Sequence, residues 1–193
     1  MGTDAAPEYL LPREVAHTVV LSEPDPCWPD TYASEAARIR RAVPDALVEM
    51  HHVGSTSVPG LSAKPIIDIV LSVADSTDED SYVPALQAAG YRLHVREPDW
   101  HEHRLLRRGT PHFSSEPGDG HVPKVNLHVF TAGSSEARRM LVFRDWLRTN
   151  PEDRVLYEET KRELAERCWP SVQDYAEAKS TVVGEIMGRA LRD

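Results

Sequence analysis

Two short apolar runs dominate the pattern of the chain, Leu47–Val53 and Ile66–Val73, each rich in β-branched residues and each the length of a buried strand. They flank a loop of small residues, Gly54-Ser-Thr-Ser-Val-Pro-Gly-Leu-Ser-Ala-Lys-Pro65. Upstream, residues 1–12 have no period and read as a loose tail, and Val15–Ser22 reads as a first strand or extended arm. Tyr32, Ala36, Ile39 and Val43 recur at helical spacing, in a helix that opens near Pro29 and stops at Pro44. Downstream, the polar stretch Asp75–Ser81 feeds a helix carrying Tyr82, Leu86 and Ala89, which Gly90 closes, giving a strand–helix–strand step. Tyr91, Leu93 and Val95 alternate with Arg92, His94 and Arg96 in a half-buried strand, and His101–Arg108 is the natural partner for it. Gly109–Pro123 has no period and reads as a long loop. Lys124–Phe130 alternates again, with Val125, Leu127 and Val129 on one face and Asn126, His128 and Phe130 on the other.

The rest of the pattern is helical. Ser134 or Ser135 caps a helix with Met140, Phe143 and Leu147 inward, and Asn150-Pro151 with Asp153 opens another that runs to about Cys168. Ser171-Val-Gln-Asp174 is a capping box for a last helix reaching Ala190. The expectation is one domain over residues 1–193, a sheet core over about 15–130 and C-terminal helices over about 134–191.

One residue breaks the apolar pattern where it matters. Asp68 lies in Ile66-Ile67-Asp68-Ile69-Val70-Leu71, a run apolar on both faces, which argues against its being merely the exposed member of an alternating strand. An unpaired carboxylate there would cost several kcal/mol, roughly, so it needs a cation, a metal or an open cleft beside it. Gly54 can take positive φ and let a ligand approach the backbone, and Ser55, Thr56 and Ser57 add hydroxyls, as a phosphate site requires. A Gly-Ser-Thr turn between strands is often only a turn; the carboxylate that follows favours the functional reading. His101-Glu-His103 has a spacing that invites a metal, but it leads into a charged strand edge and reads as surface.

Composition narrows the classes. Hydrophobic residues at 40 % and charged residues at 27 % make an ordinary folded balance. A net charge of −9 opposes general nucleic-acid binding, while local Arg and Lys clusters remain available for a small phosphorylated ligand. Cys27 and Cys168 are far apart without metal-type spacing, which reads as free thiols in a reducing cytoplasm. With no apolar run near 18 residues, the chain is expected neither to span a membrane nor to be secreted.

The stretch His52-Val-Gly-Ser-Thr-Ser-Val-Pro-Gly-Leu-Ser-Ala-Lys-Pro-Ile-Ile-Asp-Ile-Val70, with Leu86-Gln-Ala-Ala-Gly-Tyr91, Asn126-Leu-His-Val129, Phe143-Arg-Asp-Trp-Leu-Arg148, Tyr157-x-x-x-Lys161 and Tyr175-x-x-x-Lys179, resembles the GrpB (UPF0157) family from about Val15 to the C-terminus. That family is similar to the nucleotidyltransferase superfamily. The resemblance implies an α/β (α+β) fold, a nucleotidyltransferase-like mixed sheet flanked by helices, with a C-terminal helical segment. It implies phosphate binding by Gly54 and Ser55 and a divalent cation, Mg2+ or Mn2+, on Asp68, with a nucleoside triphosphate as a possible substrate. The second acid of that superfamily would stand at Val70 and the third near Asn126 and His128; His51 stands where Glu is common.

The roles expected on this basis are Asp68 for metal and catalysis, His128 for a proton or the acceptor, and Lys64 and Arg144 for developing negative charge. Thr56, Ser57, Arg104, Asn126, Tyr157 and Lys161 join the substrate and phosphate contacts, and Arg107 and Lys179 are further basic candidates. The resemblance also admits a non-catalytic module that binds a nucleotide or coenzyme A, because relatives occur as an appendage to a coenzyme A biosynthesis kinase and Val70 cannot ligate a cation. A third reading is zinc-dependent hydrolysis by His128 and neighbouring histidines.

Overall fold

The two apolar runs form adjacent strands of one six-stranded sheet, the second inside it and the first at its edge. The computed structural model describes residues 7–10, 19–109, 122–170 and 172–192. Strands β1 (Glu8–Tyr9), β2 (Leu47–Val53), β3 (Ile66–Val73), β4 (Arg92–Glu97), β5 (His103–Arg108) and β6 (Lys124–Thr131) stand in the order β1-β4-β5-β6-β3-β2. All neighbours are antiparallel except β3 and β6, which run parallel. A strand flanked on both edges and covered on both faces has to be apolar throughout, which explains the composition of β3. Its register puts Asp68 opposite Asn126 on one side and Val53 on the other.

Alternation sorts the side chains onto two faces. Ile67, Ile69 and Leu71 of β3 and Val125, Leu127 and Val129 of β6 pack with Ile39 of helix α1 (Trp28–Ala42) and Leu86 of α2 (Val83–Ala88). Leu71 is wholly buried there, so truncating it to Ala would cost about 2–5 kcal/mol. On the other face Val53, Val70 and Phe130 pack beneath Ala137, Met140 and Leu141 of α3 (Ser135–Thr149). A helical layer continues from α3 through α4 (Pro151–Ala165), α5 (Val172–Ala178) and α6 (Ser180–Ala190), joined by Leu147, Tyr157, Val182 and Ile186, and it reaches the loop after β2 through Val58 and Leu61.

The mixed α/β architecture and the C-terminal helices match the sequence reading. Other expectations need correction. The N-terminal region contributes β1, with Tyr9 opposite Val95, where a loose tail was expected. Half of the arm expected over Val15–Ser22, residues 15–18, lies outside the described residues, and in the described half Ser22 makes an isolated bridge to Ala63. The strand–helix–strand step through α2 is present as expected, and it links strands that are not adjacent, with β6 and β5 between β3 and β4. The last helix is two, α5 and α6, broken at Lys179. The expected long loop falls mostly on residues 110–121, outside those described, as does Ser171 of the expected capping box.

Candidate functional site

Gly54 ends β2 in a conformation, φ 69° and ψ −176°, open essentially to glycine alone. A Cβ at this position would run into the Asp68 side chain, so the missing methyl is what lets the turn close over the carboxylate. Residues Ser55–Ser57 form a single 3-10 turn. Their hydroxyls divide. Thr56 donates to the Ile66 carbonyl at 3.0 Å and meets Nε2 of His52 at 3.1 Å, while Ser57 donates to the Gly54 carbonyl at 2.6 Å. Both brace the loop from inside, which removes Thr56 and Ser57 from the expected phosphate contacts. Ser55 alone of the three points its hydroxyl toward the helical layer, where Lys161 reaches it at 3.3 Å.

Asp68 sits half-exposed at the edge of this turn. The Asn126 amide donates to its Oδ1 at 2.8 Å, and Nε2 of His128 stands 3.7 Å from the same oxygen. Burial pushes the Asp68 carboxyl up, but the His128 ring, the Asn126 amide and the Lys64 charge outweigh it, so it stays ionised below its ordinary range. The Oδ1 of Asn126 is buried and has no hydrogen-bond partner among the described residues. Val70, where a second acid would stand, is buried between β2 and α3. One carboxylate, one amide and one imidazole make a poor cage for magnesium, which demands oxygen ligands in near-octahedral array.

Three lysines from three elements meet beside Ser55 and Asp68. Lys161, on α4, is buried and donates to the Ser62 carbonyl as well as to Ser55, with its ammonium 4.8 Å from the Tyr157 ring centroid. Lys179, at the break between α5 and α6, lies 4.6 Å from the Tyr175 centroid, and Lys64, from the loop, lies 5.4 Å from the same ring. Burial, helped by the Lys179 charge, pulls Lys161 down to about 7. Burial pulls Lys179 down to about 8 against the attraction of Asp68. The Tyr157 hydroxyl, held against Ser55, is pushed up to about 12 by burial and stays protonated. Sequence reasoning placed Tyr157, Lys161 and Lys64 here and named Lys179 as a further basic candidate; it gave Tyr175 no role beyond its place in the motif. The signal was available in the repeat of Tyr-x-x-x-Lys at 157–161 and 175–179.

Two expected residues do other work. Arg104 lies on the opposite face of the sheet, in an ion pair with Glu79 at 2.6 Å, so it does not join the site. Arg144 braces the turn from α3, donating to the His52 carbonyl at 2.9 Å while paired with Asp145, and Arg148 does the same to the Ser57 carbonyl at 2.8 Å. His52 stacks on Tyr32 at 4.7 Å, on the α1 side, and burial pulls it down to about 4. His103, expected at the surface, is buried against Phe130 and His128. A separate hollow of about 640 Å3 in the helical layer, lined by Trp146, Asn150, Asp153 and Arg189 among others, contains none of the residues around Asp68. There Asp153 takes bonds from Trp146 and Arg189.

The comparisons place this geometry in a lineage. The GrpB protein family model matches residues 18–189. The chain belongs to the GrpB family. It is 51 % identical over 173 residues to the UPF0157 protein BH1888 of Halalkalibacterium halodurans, covering 90 % of this chain and 83 % of that one. It is 47 % identical to the UPF0157 protein SCO7215 of Streptomyces coelicolor, covering 88 % and 83 %. Its fold is similar to the crystal structure of conserved protein GrpB from Enterococcus faecalis, with a TM-score of 0.71 at 26 % identity over 90 % of this chain and 98 % of that one. A dephospho-CoA kinase of Mycolicibacterium paratuberculosis is 32 % identical over 200 residues, and there the match takes up 94 % of the GrpB chain but only 48 % of the kinase.

Proposed function

We propose that this GrpB chain binds a small phosphorylated compound, a nucleotide or similarly activated molecule, on the Ser55 turn and transfers a group from it in the manner of the nucleotidyltransferase superfamily. The observation that carries the reading is the convergence of Lys64, Lys161 and Lys179 around Ser55 and Asp68. Three cations against one carboxylate leave two positive charges in excess when all are protonated. Lys161 is buried and Lys64 and Lys179 are partly buried beside it, and a cluster of ammonium groups held partly away from water favours an anion, of which phosphoryl groups are common examples. Asp68 and His128 then stand beside the bound phosphates, where a cation, a proton or an acceptor hydroxyl would act. The ligand is small, since the net charge of −9 disfavours a nucleic acid. Among the described residues no helix is long and apolar enough to cross a membrane, and the reading is of an enzyme working in the cytoplasm.

A second reading, a coenzyme A- or nucleotide-binding module without turnover, is favoured by two facts: Val70 is committed to packing, and the kinase relative contains a similar segment. Calorimetry with ATP, GTP, CTP and coenzyme A, with chelator or with a divalent cation, tests both. Binding by the wild type that falls at least tenfold in Lys161→Met is the expected result. Product formation from the bound compound supports the transferase, tight binding without product supports the module, and no binding of any of the four compounds overturns the shared premise.

A further inference from the structure

Ser55 is the hydroxyl of its turn that meets an amine. Thr56 and Ser57 are committed to the Ile66 and Gly54 carbonyls, whereas Ser55 Oγ lies 3.3 Å from Nζ of Lys161 and is partly exposed, within reach of a molecule arriving from solvent. Lys161 itself is fixed in place. The Ser62 carbonyl takes one of its N–H groups, and the Tyr157 ring lies 4.8 Å from the nitrogen, with the Tyr157 hydroxyl held against Ser55. An ammonium has three N–H groups and can only donate, while an amine has two and a lone pair. With one N–H on the Ser62 carbonyl and one toward the ring, the position facing Ser55 carries a proton in the ammonium and the lone pair in the amine. The contact thus reverses when Lys161 loses a proton: Nζ donates to Oγ in one form and accepts from it in the other.

Both forms are populated near neutrality. Burial, helped by Lys179 and Arg162 and opposed by Glu158, pulls Lys161 down to about 7. Glu158 and Arg162 face it from its own helix and Lys179 from the break between α5 and α6, while Lys64 of the loop lies across the Tyr175 ring with Lys179. A hydroxyl within reach of an amine that titrates there is the nucleophile–base pair of Ser–Lys acyl transfer, and such contacts tighten when substrate completes them. The electrophile follows from the charges. Asp68 stands ionised beside the turn and would repel attack on an anionic phosphorus, but not on a neutral carbonyl carbon.

We propose that Ser55 is a nucleophile and Lys161 its base in a covalent acyl transfer, the donor being an ester or thioester of a phosphorylated alcohol or thiol. The inference goes beyond the proposed function and rests on that reading only for the phosphate, which Lys64 and Lys179 hold. In the first step Nζ of Lys161 takes the Ser55 proton as Oγ bonds to the carbonyl carbon. The bond from that carbon to the leaving oxygen or sulfur then breaks, and the leaving atom takes the proton from the Lys161 ammonium. Between the two transfers the Tyr157 ring lies against that ammonium. In the second step water, or an acceptor alcohol or amine, gives its proton to Lys161 as it bonds to the acyl carbon, and Ser55 departs with that proton.

The test uses the full chain and p-nitrophenyl acetate as the acyl probe, in stopped flow with peptide mapping of acid-quenched protein. A burst of about one p-nitrophenol per chain is expected, with the acetyl group on Ser55. Ser55→Ala, which removes only the hydroxyl, should abolish the burst. Lys161→Arg keeps a cation but supplies no base near neutrality, and it should slow acylation about 10²–10⁴-fold; Lys161→Met gives the same readout if the guanidinium does not fit. The wild-type acylation rate should rise with pH through about 7 and then level, and that step should vanish in both Lys161 variants. An acetyl group on Lys161 instead of Ser55, a burst that survives Ser55→Ala, or no burst overturns the proposal. Calorimetric binding of phosphorylated compounds is read independently of the burst, so the two readings fail separately.

Discussion

At the scale of single residues, the site depends on an absent methyl. Gly54 takes a backbone conformation that an L side chain adopts only at a cost of roughly 1–3 kcal/mol, and a Cβ there collides with the carboxylate of Asp68. Gly60, in the same loop with φ 77°, has open space where its Cβ would go. Gly54→Ala should therefore lower the thermal midpoint and also weaken ligand binding at least tenfold, whereas Gly60→Ala should lower the midpoint alone. Differential scanning and binding calorimetry on the pair separate strain from displacement of Asp68. Gly54 and Asp68 each stood out in the sequence, but their contact did not, because a spacing of 14 residues says nothing about closure of the loop. Thr56, Ser57 and Arg104 show the opposite failure. Each is the right residue type for phosphate, and each already has an internal partner, the Ile66 carbonyl, the Gly54 carbonyl and Glu79, that only the folded register reveals.

At the scale of elements, β3 was legible because burial on both faces leaves a continuous apolar run, and the two faces of β6 followed from alternation. Strand order was not legible, since a parallel β3–β6 pair formed across two intervening strands leaves no local signature. The same central position explains Val70. Its side chain is packed with Val53, Phe130 and Ala137 under α3, so the place where a second acid would stand is part of the core. Val70→Asp should thus not restore a two-carboxylate site. It buries an ion among apolar groups, with a destabilisation on the order of several kcal/mol, and denaturant unfolding should show a sharply lower midpoint without tighter binding of magnesium. A stable variant with improved magnesium affinity would mean that α3 gives way easily and that Val70 is a recent vacancy in a metal site. The break at Lys179 was equally invisible: the residues from 172 to 190 keep a helical period throughout, and the chain is interrupted where that lysine turns toward Tyr175.

At the scale of the whole molecule, the sheet and the helical layer meet at a small reservoir of displaced protons. Lys161 is held down to about 7 by burial and by Lys179 and Arg162, with Glu158 opposing; Lys179 is held down to about 8 by burial, with Asp68 opposing. An unfolded lysine titrates near 10.5, so above about 8 the unfolded chain binds protons that the native chain lacks. Native stability from these two groups therefore rises with pH from about 7 toward 10.5, and below about 7 the dependence vanishes because both states are charged. A phosphorylated ligand reverses the preference, favouring the ammonium forms. Binding at about pH 8 should draw in on the order of one proton, and affinity should fall as pH rises beyond it. Among the neighbouring groups, burial holds His52 and His103 near 4 and pushes Tyr157 and Tyr175 up. Calorimetry in buffers of different ionisation enthalpy measures the uptake directly, and Lys161→Met should reduce it. Binding without proton uptake would mean that the ligand sits elsewhere on the molecule, and the lysine cluster would then be a structural joint between the loop after β2 and the last three helices.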